Sequence, residues 1–167
     1  MLPDHPTTGM LLGKFMPLHR GHMHLIDTAR REVDQLTVLV CTLRREPIPG
    51  ELRYAWMREC YPDLRVIHHT DEIPSAPEEH PDFWAIWTWS IKRFFPGGGP
   101  DVVFTSEHYG DQLAEVLGAR HHMVDLARAT VPISATLVRS DPRRYWELIP
   151  PPVQRYYAGL ENRLESI

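Results

Sequence analysis

Apolar residues along the chain come in short runs separated by amphipathic stretches, and the spacing changes from run to run. Residues 10–15 (MLLGKF) form a brief apolar segment, and HMHLIDTARREV behind it carries Leu25, Ala29 and Val33 at helical spacing. Residues 35–41 (QLTVLVC) are rich in β-branched side chains and almost continuously apolar, the pattern of a strand covered on both faces. PIPG breaks the chain, and GELRYAWMREC after it predicts a helix over 50–60. LRVIHH (64–69) predicts a third strand, DEIPSAPEEHPD a long proline- and acid-rich loop, and residues 83–95 a helix stopped by PGGGP. DVVFTS (101–106) predicts a fourth strand, DQLAEVLGA a short helix ending at Gly118, and residues 121–124 a fifth strand.

Strands that alternate with helices in this way imply right-handed crossovers and a parallel sheet. The expected fold class is α/β, a Rossmann-like doubly wound sheet of about five strands with helices on both faces. The whole of 1–167 reads as one compact domain, with a core over about 10–150 and a C-terminal helical segment over about 142–167.

Charge then narrows the partners. A formal net charge of -4 lacks the basic footprint of a duplex-binding protein, so any anion must be met by a local cluster. Cys41 and Cys60 are the only cysteines, and they suggest no disulfide framework. The opening MLPDHPTTG has neither the basic nor the apolar region of a secretory signal, and no apolar stretch approaches membrane-spanning length. A cytoplasmic protein without nucleic-acid or membrane partners is expected, with homo-oligomerisation left open.

The candidate chemistry sits in GKFMPLHRGH, residues 13–22. In a doubly wound sheet ligands bind beyond the carboxyl ends of the strands, and the loop after the first strand carries Lys14, Pro17, His19, Gly21 and His22 there. Gly21 is expected to let the backbone approach a phosphate, and the helix start supplies N–H groups and a partial positive charge. Neither the G-x-x-x-x-G-K-[ST] loop nor the G-x-G-x-x-G fingerprint is present. His19 and His22 have no companion carboxylate in the motif, so no protein-held metal is expected. A second segment, VPISATLVRSDP, offers Ser134 as a helix N-cap and Arg139 more than one turn on, a forked donor able to reach back to the same anion.

Together, GKFMPLHRGH and ISATLVR resemble the paired signatures of the HxGH nucleotidyltransferase superfamily, and within it the nicotinamide mononucleotide adenylyltransferases, most nearly the adenylyltransferase domain of the NadR type. GELRYAWM is similar to that family's Arg-x-x-Trp helix, DEIPSAP with WAIW to its nicotinamide-side loop and Trp-x-x-Trp, FTSEHYGD to its fourth strand end, and RRYWELIPPPVQRYY to its closing segment. The resemblance implies transfer of AMP from ATP to nicotinamide mononucleotide, giving NAD+ and pyrophosphate. It implies that His19 and His22 contact the ATP phosphates, His22 at the reacting α-phosphate, while Lys14 and Arg139 hold the β- and γ-phosphates. Gly13, Phe15, Gly21, Ser134 and Thr136 would bind ATP, and Trp84 or Trp87 would stack on the nicotinamide, with Thr105 and Ser106 also on the mononucleotide side. Mg2+ would be bound mainly through the ATP phosphates.

Two other readings share these motifs. One is a related transferase with another acceptor or with CTP. The other is a catalytically silent nucleotide sensor, which would have no need of groups that stabilise a transition state more than a ground state. NadR proteins usually continue into a kinase domain, and some carry a DNA-binding module; the chain begins close to its first strand and ends at GLENRLESI, so neither activity is expected of it.

Overall fold

The computed structural model describes residues 5–125 and 129–166. Five strands, β1 (Thr8–Gly13), β2 (Gln35–Cys41), β3 (Arg65–His69), β4 (Val102–Thr105) and β5 (Arg120–Met123), form one parallel sheet in the order β3-β2-β1-β4-β5. The expected α/β class and doubly wound order are therefore both observed. Crossovers run through α1 (Arg20–Glu32), α2 (Gly50–Cys60), α3 (Phe83–Lys92) and α4 (Tyr109–Leu117); α5 (Ala135–Ser140) and α6 (Pro151–Glu165) follow the last strand.

Side-chain alternation along each strand divides the core into two layers. Leu11, Val38, Val40, Val102 and Phe104 face α1, α2, α5 and α6, meeting Ile26, Trp56, Met57, Val138 and Val153. Met10, Leu39 and Val103 face α3 and α4, meeting Ile91, Leu113 and Leu117. A sheet buried on both faces has few polar positions to spare, which is why the strands read as near-continuous apolar runs.

Most boundaries follow the sequence pattern, and two depart for identifiable reasons. β1 starts at Thr8 and ends at Gly13, so Lys14 and Phe15 belong to the loop instead of the strand. At the near end the Thr7 carbonyl accepts from Gln35 N–H, and Thr8 N–H donates to Asp101 Oδ2 at 2.8 Å. At the far end Phe15 has a φ of +48°, which a strand does not accommodate. The third helix stops at Lys92, short of 95, before the turn through Phe94 and Phe95. Gly118 caps α4 in the left-handed region at φ 69°, as the sequence indicates. Among the described residues no helix is long and apolar enough to cross a membrane.

Candidate functional site

A cavity of about 680 Å³ opens at the carboxyl edge of the sheet, a volume suited to small-molecule ligands. The loop after β1 supplies Lys14, Phe15 and His19 to its wall, the start of α1 Gly21 and His22, the start of α5 Ala135 and Thr136, α3 Trp84 and Trp87, and the end of β4 Thr105 and Ser106. Gly13 and Ser134 line it too. The two motifs, more than a hundred residues apart in sequence, thus share one wall of one cavity.

The two histidines cap α1 reciprocally. His19 is the N-cap; its Nδ1 accepts from the His22 backbone N–H, and His22 Nδ1 accepts from the His19 backbone N–H, both at 3.2 Å. This is a capping box built from imidazoles in place of the usual hydroxyl and carboxylate. Because each Nδ1 is an acceptor, the hydrogen of each neutral ring sits on Nε2, which makes that nitrogen a donor. The rings stack with centroids 3.6 Å apart, and Phe15 meets His22 edge-on at 4.9 Å. Gly21 serves this arrangement directly: a Cβ there would stand 2.9 Å from His19 Cε1 and 3.1 Å from Ile133. Its missing side chain makes room for the His19 ring, a packing reason beside the expected backbone approach to a phosphate.

Lys14 Nζ lies 2.9 Å from Glu46 Oε2. Burial alone would raise the Glu46 pKa, but the hydrogen bonds from Leu43 N–H and Arg53 and the charge of Lys14 outweigh it and hold the carboxyl below its ordinary range. Ser134 caps α5 as expected, its hydroxyl accepting from Leu137 N–H at 3.2 Å. Arg139 is not among the lining residues. Its guanidinium donates to the Met16 carbonyl and stands 3.5 Å from Thr136 Oγ1, tying α5 to the histidine loop.

The aromatic end has its own support. Trp87 Nε1 donates to the Pro74 carbonyl at 2.7 Å, and its ring stacks on His69 with centroids 5.5 Å apart at 14°. His69 is 1% exposed. Ser90 donates to Asp71 at 2.7 Å, so the His69 Nε2, 2.6 Å from the same hydroxyl, is its donor. Burial is the main reason the His69 pKa lies below its usual value, with Arg93 adding to the effect and Asp71 opposing it. Trp84 packs edge-to-face on Phe83 at 4.9 Å, whereas Trp89 on the same helix is 70% exposed.

Thr105 reaches the wall with its hydroxyl engaged. It donates to the Glu107 carbonyl at 2.7 Å and lies 2.7 Å from His121 Nε2, whose Nδ1 is 2.7 Å from Asp111 Oδ1. The hydroxyl therefore shapes the 105–107 turn, leaving Ser106 as the more available of the pair. Burial pushes the Cys41 thiol, also on the wall, up to about 12, so it is not a nucleophile at neutral pH. Arg44 and Arg45 pair with Glu72 and Glu79, bridging two loops.

Glu46 and Asp71 escaped the sequence reading, and Arg53 and His69 entered it only as part of the Arg-x-x-Trp resemblance and as a strand end, with no role at the site. Strand parity could have found His69, since it pairs with Cys41 at the ligand edge. Arg53 lies on the same helix face as Trp56 and Met57, and an arginine in a buried stripe is itself a signal. Nothing local marks Glu46.

Comparison with known proteins agrees with this architecture. A family model described as cytidylyltransferase-like matches residues 10–141. The trifunctional NAD biosynthesis/regulator protein NadR of Escherichia coli (strain K12) is 33% identical over 90% of this chain, and that of Salmonella typhimurium 30% over 89%. The chain spans 40% of the length of these curated relatives. Among solved structures, a NadR protein in complex with NR superposes with a TM-score of 0.66 at 21% identity, covering 86% of this chain and 43% of that one. A bifunctional NMN adenylyltransferase/ADP ribose pyrophosphatase from Francisella tularensis, complexed with AMP and a manganese ion, superposes at 0.62 with 14% identity, covering 87% and 43%. The paired motifs on one cavity wall, the strand order and these matches agree: the chain belongs to the cytidylyltransferase-like family of nucleotidyltransferases.

Proposed function

We propose that the protein transfers the adenylyl group of ATP to nicotinamide mononucleotide, releasing pyrophosphate and forming NAD+. The observation that carries this reading is one continuous cavity with a donor-rich end, built from Lys14, the paired histidines and the start of α5, and an aromatic end built from Trp84 and Trp87. The first suits a triphosphate; the second suits a flat cationic ring. Relatives named for NAD biosynthesis support the choice of acceptor.

In the proposed reaction a phosphate oxygen of the mononucleotide attacks the α-phosphorus of ATP, and the bond from that phosphorus to the bridging oxygen breaks. The attacking phosphate is already ionised, so no general base is required, and the protein's work is alignment and charge stabilisation. The Nε2–H groups of His19 and His22 donate to the α-phosphoryl region. Lys14 and Arg139 meet the departing pyrophosphate. Trp87 is the platform we assign to the nicotinamide, because Pro74 and His69 fix its ring before any ligand arrives.

A magnesium ion carried by the triphosphate suits this donor set. Among the described lining residues Lys14 is the only Lys or Arg, so most of the triphosphate charge is left for a cation that enters with the nucleotide. Such an ion would be held by phosphate oxygens and would offset charge on the leaving group.

The test is pyrophosphate release by purified protein with ATP or CTP, magnesium and nicotinamide mononucleotide or its deamidated form, with products identified by mass. NAD+ from ATP and the amidated acceptor is the expected result. Turnover only with CTP, or with neither acceptor, would overturn the reading and reassign the acceptor end.

A further inference from the structure

Lys14 is held at both ends by one buried ion pair. Arg53 on α2 is 0% exposed, and its three kinds of N–H group are all used: Nε donates to the Ile48 carbonyl, Nη1 to the Lys14 carbonyl and Nη2 to Glu46 Oε1, each at 3.0 Å. Glu46 Oε1 also accepts from Leu43 N–H at 2.7 Å. The other carboxylate oxygen, Oε2, takes no directed hydrogen bond among the described residues and meets the Lys14 ammonium at 2.9 Å, an ionic contact. The Glu46 side chain is 5% exposed and that of Lys14 49%, so the carboxylate is the fixed partner and the ammonium the movable one.

A buried ion pair is a poor device for stability alone, since apolar residues of the same volume often do as well. What this pair adds is position. Arg53 grips the lysine backbone where the chain leaves β1, and Glu46 grips the far end of the same side chain. We propose that Glu46 and Arg53 are positioning residues that hold the Lys14 ammonium on the cavity wall, ready for the polyphosphate. An ammonium has three N–H donors, and one turned to Glu46 leaves two for a phosphate. The inference rests on the nucleotidyl-transfer reading only in taking a polyphosphate as the ligand. It is independent of the acceptor.

Glu46→Gln separates position from fold. The amide oxygen has to serve Leu43 and Arg53, so its NH2 faces Lys14 and dislodges the ammonium. The experiment is a double-mutant cycle of Glu46→Gln with Lys14→Met, reading magnesium pyrophosphate affinity by calorimetry, with each protein checked for folding by thermal unfolding. The loss of the Glu46 charge acts on bound pyrophosphate in both backgrounds and cancels in the cycle, leaving the part that runs through Lys14.

The expected result is that Glu46→Gln weakens pyrophosphate binding about fivefold or more beyond its effect in the Lys14→Met background. Additivity within about twofold would overturn the inference, leaving Glu46 a purely structural group. Coupling of the opposite sign, with tighter binding only when Lys14 is present, would show that Glu46 competes for the ammonium and would overturn it too. So would an unaltered protein that does not bind pyrophosphate. If Glu46→Gln does not fold, Glu46→Asp, which keeps the charge and shortens the reach, replaces it with the same expected sign. Because no acceptor enters the assay, failure of the nicotinamide reading and failure of this inference are separate outcomes.

Discussion

Gly110→Ala in the first turn of α4 sets local propensity against packing. On propensity alone, alanine in place of a helical glycine stabilises by up to about 1 kcal/mol, less near a helix end. The structure reverses the sign. A Cβ at Gly110 would stand 2.2 Å from His121 Nε2 and 2.5 Å from Thr105 Oγ1, against 3.4–4 Å for ordinary contact. Ring and hydroxyl would have to retreat by more than about 1 Å, and overpacking of this kind costs about 1–3 kcal/mol. The net loss is about 1–2 kcal/mol, a fall in Tm of roughly 2–8 °C for a domain of this size. The displaced atoms belong to the Thr105–His121–Asp111 chain that shapes the 105–107 wall, so the KM for the acceptor should rise as well. Gly159→Ala in α6 is the control: among the described residues nothing outside its own stretch of helix lies within 4 Å of the added carbon, and propensity should raise Tm by roughly 1–4 °C. The assay is thermal unfolding of the two variants beside the parent. A Gly110→Ala protein as stable as Gly159→Ala would refute the packing argument.

Other expectations follow from the same geometry. His22→Ala and Arg139→Ala should each lower kcat/KM by about a hundredfold or more in the pyrophosphate-release assay, and near-parental rates would remove them from the site. Trp87→Ala should weaken mononucleotide affinity by calorimetry more than Trp84→Ala does, because Trp87 is the ring held by Pro74 and His69; the reverse order would shift the stacking role to Trp84. Stability should also fall as pH drops below about 6.5, because the buried His69 resists the proton that the unfolded chain accepts, so the unfolded state binds more protons in that window. His69→Gln should flatten that part of a Tm-against-pH curve, and an unchanged slope would assign it elsewhere.

The sequence by itself determined the strands, most helix limits and the two candidate motifs, because these depend on neighbours close along the chain. Apolar runs buried on both faces, Ser134 and Gly118 as helix caps, and the GKFMPLHRGH spacing are local signals of this kind. The tertiary structure alone decided what crosses between elements. It turned His19 and His22 into a reciprocal cap with defined donors, engaged the Thr105 hydroxyl with His121, gave Arg139 to Met16, and placed Trp87 against His69. It also set Glu46 and Arg53, seven residues apart, around Lys14 from an earlier loop. The physical reason is that periodicity records which face of an element is buried. The pairing of polar groups depends on distances across a folded core, which one-dimensional spacing does not encode.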